Sequence, residues 1–119
     1  MDHTKSTTIK EIFTAEAIVA GATAYSDIIS VGQLAGNASI QITLTGTGIA
    51  QVDWIASLDE DALIAAFVKV NNANDIVTAM TVGTAIYSFT IKLVPRLAIR
   101  VTETGGLNAI GVTAIIALQ

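Results

Sequence analysis

There is no cysteine anywhere in this sequence. That excludes a disulfide framework, a thiolate nucleophile and a cysteine zinc site, and it fits assembly in a reducing cytoplasm. Histidine is almost as scarce: the single His3 stands in a polar N-terminal stretch, so a serine–histidine–acid triad has no base inside a folded domain. Charge is sparse too. Charged residues make up 13% of the chain against 52% hydrophobic, about half the charged share usual in a soluble domain. So little charge leaves part of the surface to be covered by something else, most simply other subunits. The net charge of −4 and six scattered basic residues give no footprint for nucleic acid. No apolar run is long enough for a membrane helix: "ALIAAFV" is too short, and later runs are broken by Thr, Ser, Lys and Arg. The start, "MDHTKSTTIKEIF", lacks the apolar core of a signal peptide.

What is present is alternation. In "ASIQITLTG" Ile40, Ile42 and Leu44 share one face, while Ser39, Gln41, Thr43 and Thr45 share the other, the pattern of a half-buried strand. "QVDWIASL" continues it with Val52, Trp54, Ala56 and Leu58 inward, and the intervening "TGTG" predicts a hairpin. "IFTAEAIVA" and "AYSDIISV", joined at Gly21, read as strands, as do "DIVTAMTV", "IYSFTIKLV", "RLAIRVTET" and "IGVTAIIAL". At 119 residues the chain holds one domain. About eight short strands predict an all-β, single-domain antiparallel β-sandwich, jelly-roll-like, over residues 9–119, after a mobile N-terminal tail at 1–8. In "LDEDALIAAFV" Ser57 or Asp59 is placed to cap at most a short helix.

Pro95, the only proline, has no N–H for a sheet ladder and marks a corner between two strands. Beyond it Leu97, Ile99 and Val101 point one way, and Arg96, Ala98, Arg100 and Thr102 the other. Two readings of Arg100 stand side by side: its head snorkels to solvent from an outer face, or it forms an ion pair across a subunit boundary with Glu103 or Asp53 of a neighbour. The final strand is apolar on both faces, with Val112, Ala114, Ile116 and Leu118 on one and Ile115 and Ala117 on the other. Such a strand is either covered locally or lies at an interface, and the interface is the expectation here. The candidate interface residues are thus Ile115, Ala117, Arg100 and Glu103.

Catalytic and metal constellations are weak. Asp59, Glu60, Asp61 and Asp75 are the only clustered acids from which a glycosidase pair can be drawn, and a solvated loop explains them as well. Together with Asn71, Asn72 and Asn74 they offer oxygen ligands for calcium, without EF-hand spacing. "TGTG" and "ETGG" are turns and not phosphate loops, since no Lys-Ser/Thr follows. Trp54, Tyr25, Tyr87 and Phe89 are candidates for a sugar-stacking platform, although Trp54 alternates in register with core positions. The chain is therefore read as no enzyme, with no cofactor and no metal.

The stretch "DIVTAMTVGTAIYSFTIKLVPRLAIRVTETGGLNAIGVTAIIALQ", preceded by "ASIQITLTGTGIAQVDWIASLD", resembles small accessory structural proteins of tailed bacteriophages over about residues 38–119. The "YSF" strand, the proline corner, "IRVTETGG" and the closing apolar strand carry the resemblance. It implies a β-sandwich virion protein, such as a capsid decoration or minor capsid protein, that binds and reinforces a head lattice without turnover. The implied partners are the major capsid protein and further copies of the chain, with no nucleic acid and no membrane, in a virion assembled in the host cytoplasm. The alternative is a carbohydrate- or receptor-binding module of a phage tail or appendage.

Overall fold

Nine strands make up the regular structure of a computed structural model that describes residues 8–30, 36–69, 75–91 and 94–118. They are β1 (Thr8–Ile18), β2 (Thr23–Tyr25), β3 (Ile29–Ser30), β4 (Gly36–Gly46), β5 (Ala50–Ser57), β6 (Asp75–Met80), β7 (Gly83–Ile91), β8 (Arg96–Glu103) and β9 (Ile110–Leu118). The first sheet has the order β1-β9-β4-β7, and the second has β2-β8-β5-β6 with β3 also on β8. With β2 and β3 taken as one interrupted strand, pairing is nested. β1 joins β9, β2/β3 joins β8, β4 joins β7 and β5 joins β6, all antiparallel. This is the jelly-roll β-sandwich expected from the alternation.

The alternating residues meet between the sheets. Ile40, Ile42 and Leu44 of β4, Val112, Ala114 and Ile116 of β9, and Leu97, Ile99 and Val101 of β8 are all buried. Each large aliphatic side chain so placed contributes about 1.5–3 kcal/mol of transfer free energy. Trp54 belongs to this core, and its ring lies 6.3 Å from that of Phe89 on the opposite sheet. Leu58, expected inward, is exposed instead, because β5 ends at Ser57 and the strand period no longer applies.

The predicted hairpin between β4 and β5 does not form. The two strands lie in different sheets, and "TGTG" is the arch between them. Alternation shows which face of a strand is buried; it does not show which strand lies beside it. The glycines have their own reason: Gly46 has φ +87°, and a Cβ there would stand 2.6 Å from the Ala109 carbonyl oxygen. At Pro95 the expected corner is found, since β7 and β8 on either side of it belong to different sheets.

The expected single strand "AYSDIISV" is split into β2 and β3 by Ser26. Its N–H donates to the Ile99 carbonyl at 2.8 Å, and its hydroxyl accepts the Ile99 N–H at 2.9 Å. Edge strand β1 begins at Thr8 and carries two register shifts around Phe13, with Ala15 at φ +45° and its N–H donated to Thr113 Oγ1 at 3.0 Å. Such bulges twist an edge away from pairing with another chain. The expected tail at 1–8 falls almost wholly outside the described residues.

The segment 58–69 is mostly loop with one 3₁₀ turn, Ile64–Ala66, as the sequence led us to expect. Neither Ser57 nor Asp59 caps that turn, whose N-cap is Leu63. Ser57 Oγ accepts the Asp59 N–H and Asp59 Oδ1 accepts the Asp61 N–H, so both side chains shape the preceding bend. The segment returns to β5 through reciprocal Ala56–Val68 backbone bonds and seats Phe67 on Ile55 and Ala98. A second small core thereby covers part of the outer face of the second sheet.

Candidate interaction surface

The outer face of the first sheet is free of charge on β4, β7 and β9. Register sets its rows. Ala117 lies beside Ser39, which lies beside Ser88; Ile115 beside Gln41, which lies beside Ile86; and Thr113 beside Thr43, which lies beside Thr84. β1 adds Ile9 beside Ala117 and a marginal charge, Glu11, beside Ile115. The face is open to solvent: Ile86 is 66% exposed, Ile9 70% and Ile115 38%. Four of its hydroxyls are already paired, Ser39 with Ser88 and Thr43 with Thr84, each at 3.0 Å. Covering a paired hydroxyl costs less than covering an unpaired one, because its hydrogen bond persists after water leaves. A broad, uncharged face with part of its hydroxyls already paired is therefore chemically suited to protein contact.

Ile115 and Ala117 both sit on this face, on a strand central to its sheet. The other two candidates lie elsewhere. Arg100 is on the outer face of the second sheet, directly across from Asp53 on β5. Its Nε and Nη2 donate to the two Asp53 carboxylate oxygens at 2.8 and 2.7 Å, so the aspartate partner comes from its own chain. Lys69 Nζ stands 3.4 Å from Asp53 and 2.8 Å from Asp75, which extends the pair into a line of alternating charge. Arg100, Lys69 and Asp75 are each shifted in the direction that favours the ion. Hydrogen bonds to Asp53 raise the Arg100 pKa, the bond from Lys69 to Asp75 raises that of Lys69, and the same bond lowers that of Asp75.

Glu103 is neither on an outer face nor paired with Arg100. It follows Leu97, Ile99 and Val101 in the inward register and is 1% exposed. Its carboxylate accepts the backbone N–H groups of Ile49 (2.9 Å), Gly21 (2.9 Å), Gly106 (2.7 Å) and Gly105 (2.8 Å). These donors, Ile49 foremost, hold its pKa at about 2. One side chain thus ties together the β1–β2 turn, the β4–β5 arch and the β8–β9 turn. This role went unread in the sequence, although the signal was there: an acid in phase with three core residues, followed by two glycines that offer N–H groups.

Of the remaining candidates, Asp59 is engaged by its own loop and Asp75 by Lys69. Asn71, Asn72, Asn74 and His3 lie outside the described residues. Among the described residues no group of three or more acids or histidines is placed to hold a metal ion, and no helix is long and apolar enough to cross a membrane. Of the four aromatics considered for sugar stacking, Trp54 is core and Tyr87 and Phe89 pack against it, while Tyr25 is exposed.

No protein-family model and no curated protein sequence matches the chain. Solved structures do match its fold. The SPBc2 prophage-derived protein YomS is similar at a TM-score of 0.53 with 12% identity, over 99% of this chain and 100% of that one. The CBM36-1 domain of a multidomain xylanase from the hindgut metagenome of Trinervitermes trinervoides is similar at 0.54 with 10% identity, over 96% and 98%. A chain of infectious bursal disease virus, Gx strain, is similar at 0.50 with 13% identity, over 98% of this chain and 34% of that one. At such identities the shared property is the jelly-roll sandwich itself, which phage, viral and carbohydrate-binding chains all use.

Proposed function

We propose that this chain is a non-enzymatic virion structural protein, a capsid decoration or minor capsid component, that docks on the major capsid protein lattice through the outer face of its first sheet. The observation that carries this reading is the charge-free row of Ile115, Gln41 and Ile86, open to solvent. The sequence resemblance to accessory phage proteins supports it, as does the use of the same fold by a prophage-derived protein and a virus chain. Docking by such a face needs no turnover and no cofactor. Association with further copies of the chain belongs to the same proposal, because a repeating lattice brings copies side by side.

The test is Ile115→Asp. In the separate chain this carboxylate is partly in water and costs about 1 kcal/mol, from the Glu11 carboxylate opposite and the low strand propensity of aspartate. At a covered contact it is buried without a partner, at a far larger cost. Purified particles should carry many copies of the wild-type chain and few of the variant, while the free variant stays folded and its thermal unfolding shows no more than that small local cost. Equal occupancy of wild type and variant would remove this face from the interface. A wild-type copy number of only a few per particle would instead favour the tip of an appendage.

A further inference from the structure

On the opposite side of the molecule, between β2/β3 and the 58–66 segment, lies an open cleft of about 540 Å³, within the range of small-molecule sites. Tyr25, Asp27, Asp61 and Arg96 line it, with Ile28 and Leu63 as apolar wall. Both walls are anchored to β8. On one side the buried Ser26 exchanges bonds with the Ile99 backbone and donates its hydroxyl to the Asp27 carbonyl oxygen at 2.9 Å, which sets the positions of Tyr25 and Asp27. On the other side Arg96 Nη1 donates to the carbonyl oxygens of Asp59 (3.1 Å) and Ala62 (2.8 Å), and its guanidinium lies 5.3 Å from the centre of the Phe67 ring. The cleft is shaped before any ligand enters, which lowers the ordering cost of binding.

Its chemistry narrows the ligand. Two exposed carboxylates, Asp27 and Asp61, disfavour an anion, and the Arg96 guanidinium beside them offsets part of their pull on a cation. A neutral ligand rich in hydroxyls meets two carboxylate acceptors for charge-assisted hydrogen bonds. If it also has an apolar face, it meets the Tyr25 ring, 46% exposed and on a strand position directly across from Arg100. We infer that this cleft binds a neutral saccharide, with Tyr25 stacking on a sugar ring and Asp27 and Asp61 accepting from its hydroxyls. The site is on the other sheet from Ile115, so it adds a ligand to the proposed docking role and does not depend on it.

The experiment is a titration, followed by amide NMR, of the full chain with neutral gluco-, xylo-, manno- and galacto-oligosaccharides, with oligogalacturonate and chitosan oligomers as charged controls. Saturable shifts at Tyr25, Asp27 and Asp61 with at least one neutral sugar are expected. Affinity should fall about tenfold or more in Tyr25→Ala and in Asp27→Asn, and should persist in Tyr25→Phe. Thermal unfolding of each variant shows that the fold is kept, and Asp27→Asn carries the test if Tyr25→Ala disturbs β2. Absence of saturable binding to every neutral sugar overturns the inference. So does preference for a charged oligomer, or binding that survives both Tyr25→Ala and Asp27→Asn.

Discussion

The two outer faces of the sandwich are finished differently. On the second sheet Asp53, Arg100, Lys69 and Asp75 neutralise one another within the chain, and the 58–69 segment lays Phe67 over Ile55 and Ala98. On the first sheet β4, β7 and β9 present Ser, Thr, Gln, Ala and Ile, with no charge and with Ile86 and Ile115 in water. A chain this poor in charged residues has few to distribute, and here four of them pair on one side. The other side is left with the composition of a contact surface. One sheet is completed by its own chain, and the other is suited to completion by another molecule.

The two faces share one core, so the largest effects should be indifferent to which sheet is altered. Ile42→Ala on the first sheet and Ile99→Ala on the second should each cost about 2–5 kcal/mol in denaturant unfolding. A loss confined to one of them would mean that the sheets do not form a single cooperative unit.

Glu103 joins loops that cross between the sheets, and Glu103→Gln tests that joint. Its folded pKa of about 2 lies below its ordinary 4.5. The stabilisation is therefore fully present above about pH 4.5 and is lost as pH falls towards 2. The variant should unfold at a lower temperature at pH 7, and it should lack that part of the acid-induced loss. Identical acid profiles of wild type and variant would assign the acid sensitivity to other groups.

Substitutions on the outer faces sharpen the contrast. Asp53→Ala removes the shared partner of Arg100 and Lys69 and should cost about 1–3 kcal/mol. Thr43→Val on the other sheet gives up one exposed hydroxyl pair and should stay within about 0.5 kcal/mol. Equal losses for the two would erase the distinction between a self-completed face and an open one. Ile115→Asp, opposite Glu11, should cost the free chain only about 1 kcal/mol, with its main consequence in particle occupancy.

Much of the fold was legible before any coordinates. Strict alternation placed Ile40, Ile42, Leu44, Leu97, Ile99, Val101, Val112, Ala114 and Ile116 in the core, and Pro95 at a corner, because side chains of a strand alternate with period two and proline cannot donate to a ladder. The candidate surface was legible only in pieces. Ile115 and Ala117 stood out because a strand apolar on both faces is unusual, and both lie on the open face. Arg100 and Glu103 were candidates for an ion pair across a subunit boundary, yet the structure puts Arg100 on a charged face with its own Asp53 and Glu103 at the sealed end of the sandwich.

What this sequence determined by itself was therefore local: which residues form strands, which side of each strand is buried, and where the backbone must turn. These depend on propensity, period and the special geometry of proline and glycine, all of which act over a few neighbouring residues. Tertiary structure decided the partners. It made "TGTG" an arch between sheets and not a hairpin, gave Arg100 an aspartate forty-seven positions away, gathered backbone N–H groups from three separate loops around Glu103, and left one sheet face bare. Each of these depends on which distant strand lies alongside, a choice made by the joint packing of all nine strands around one core and by no single stretch of sequence.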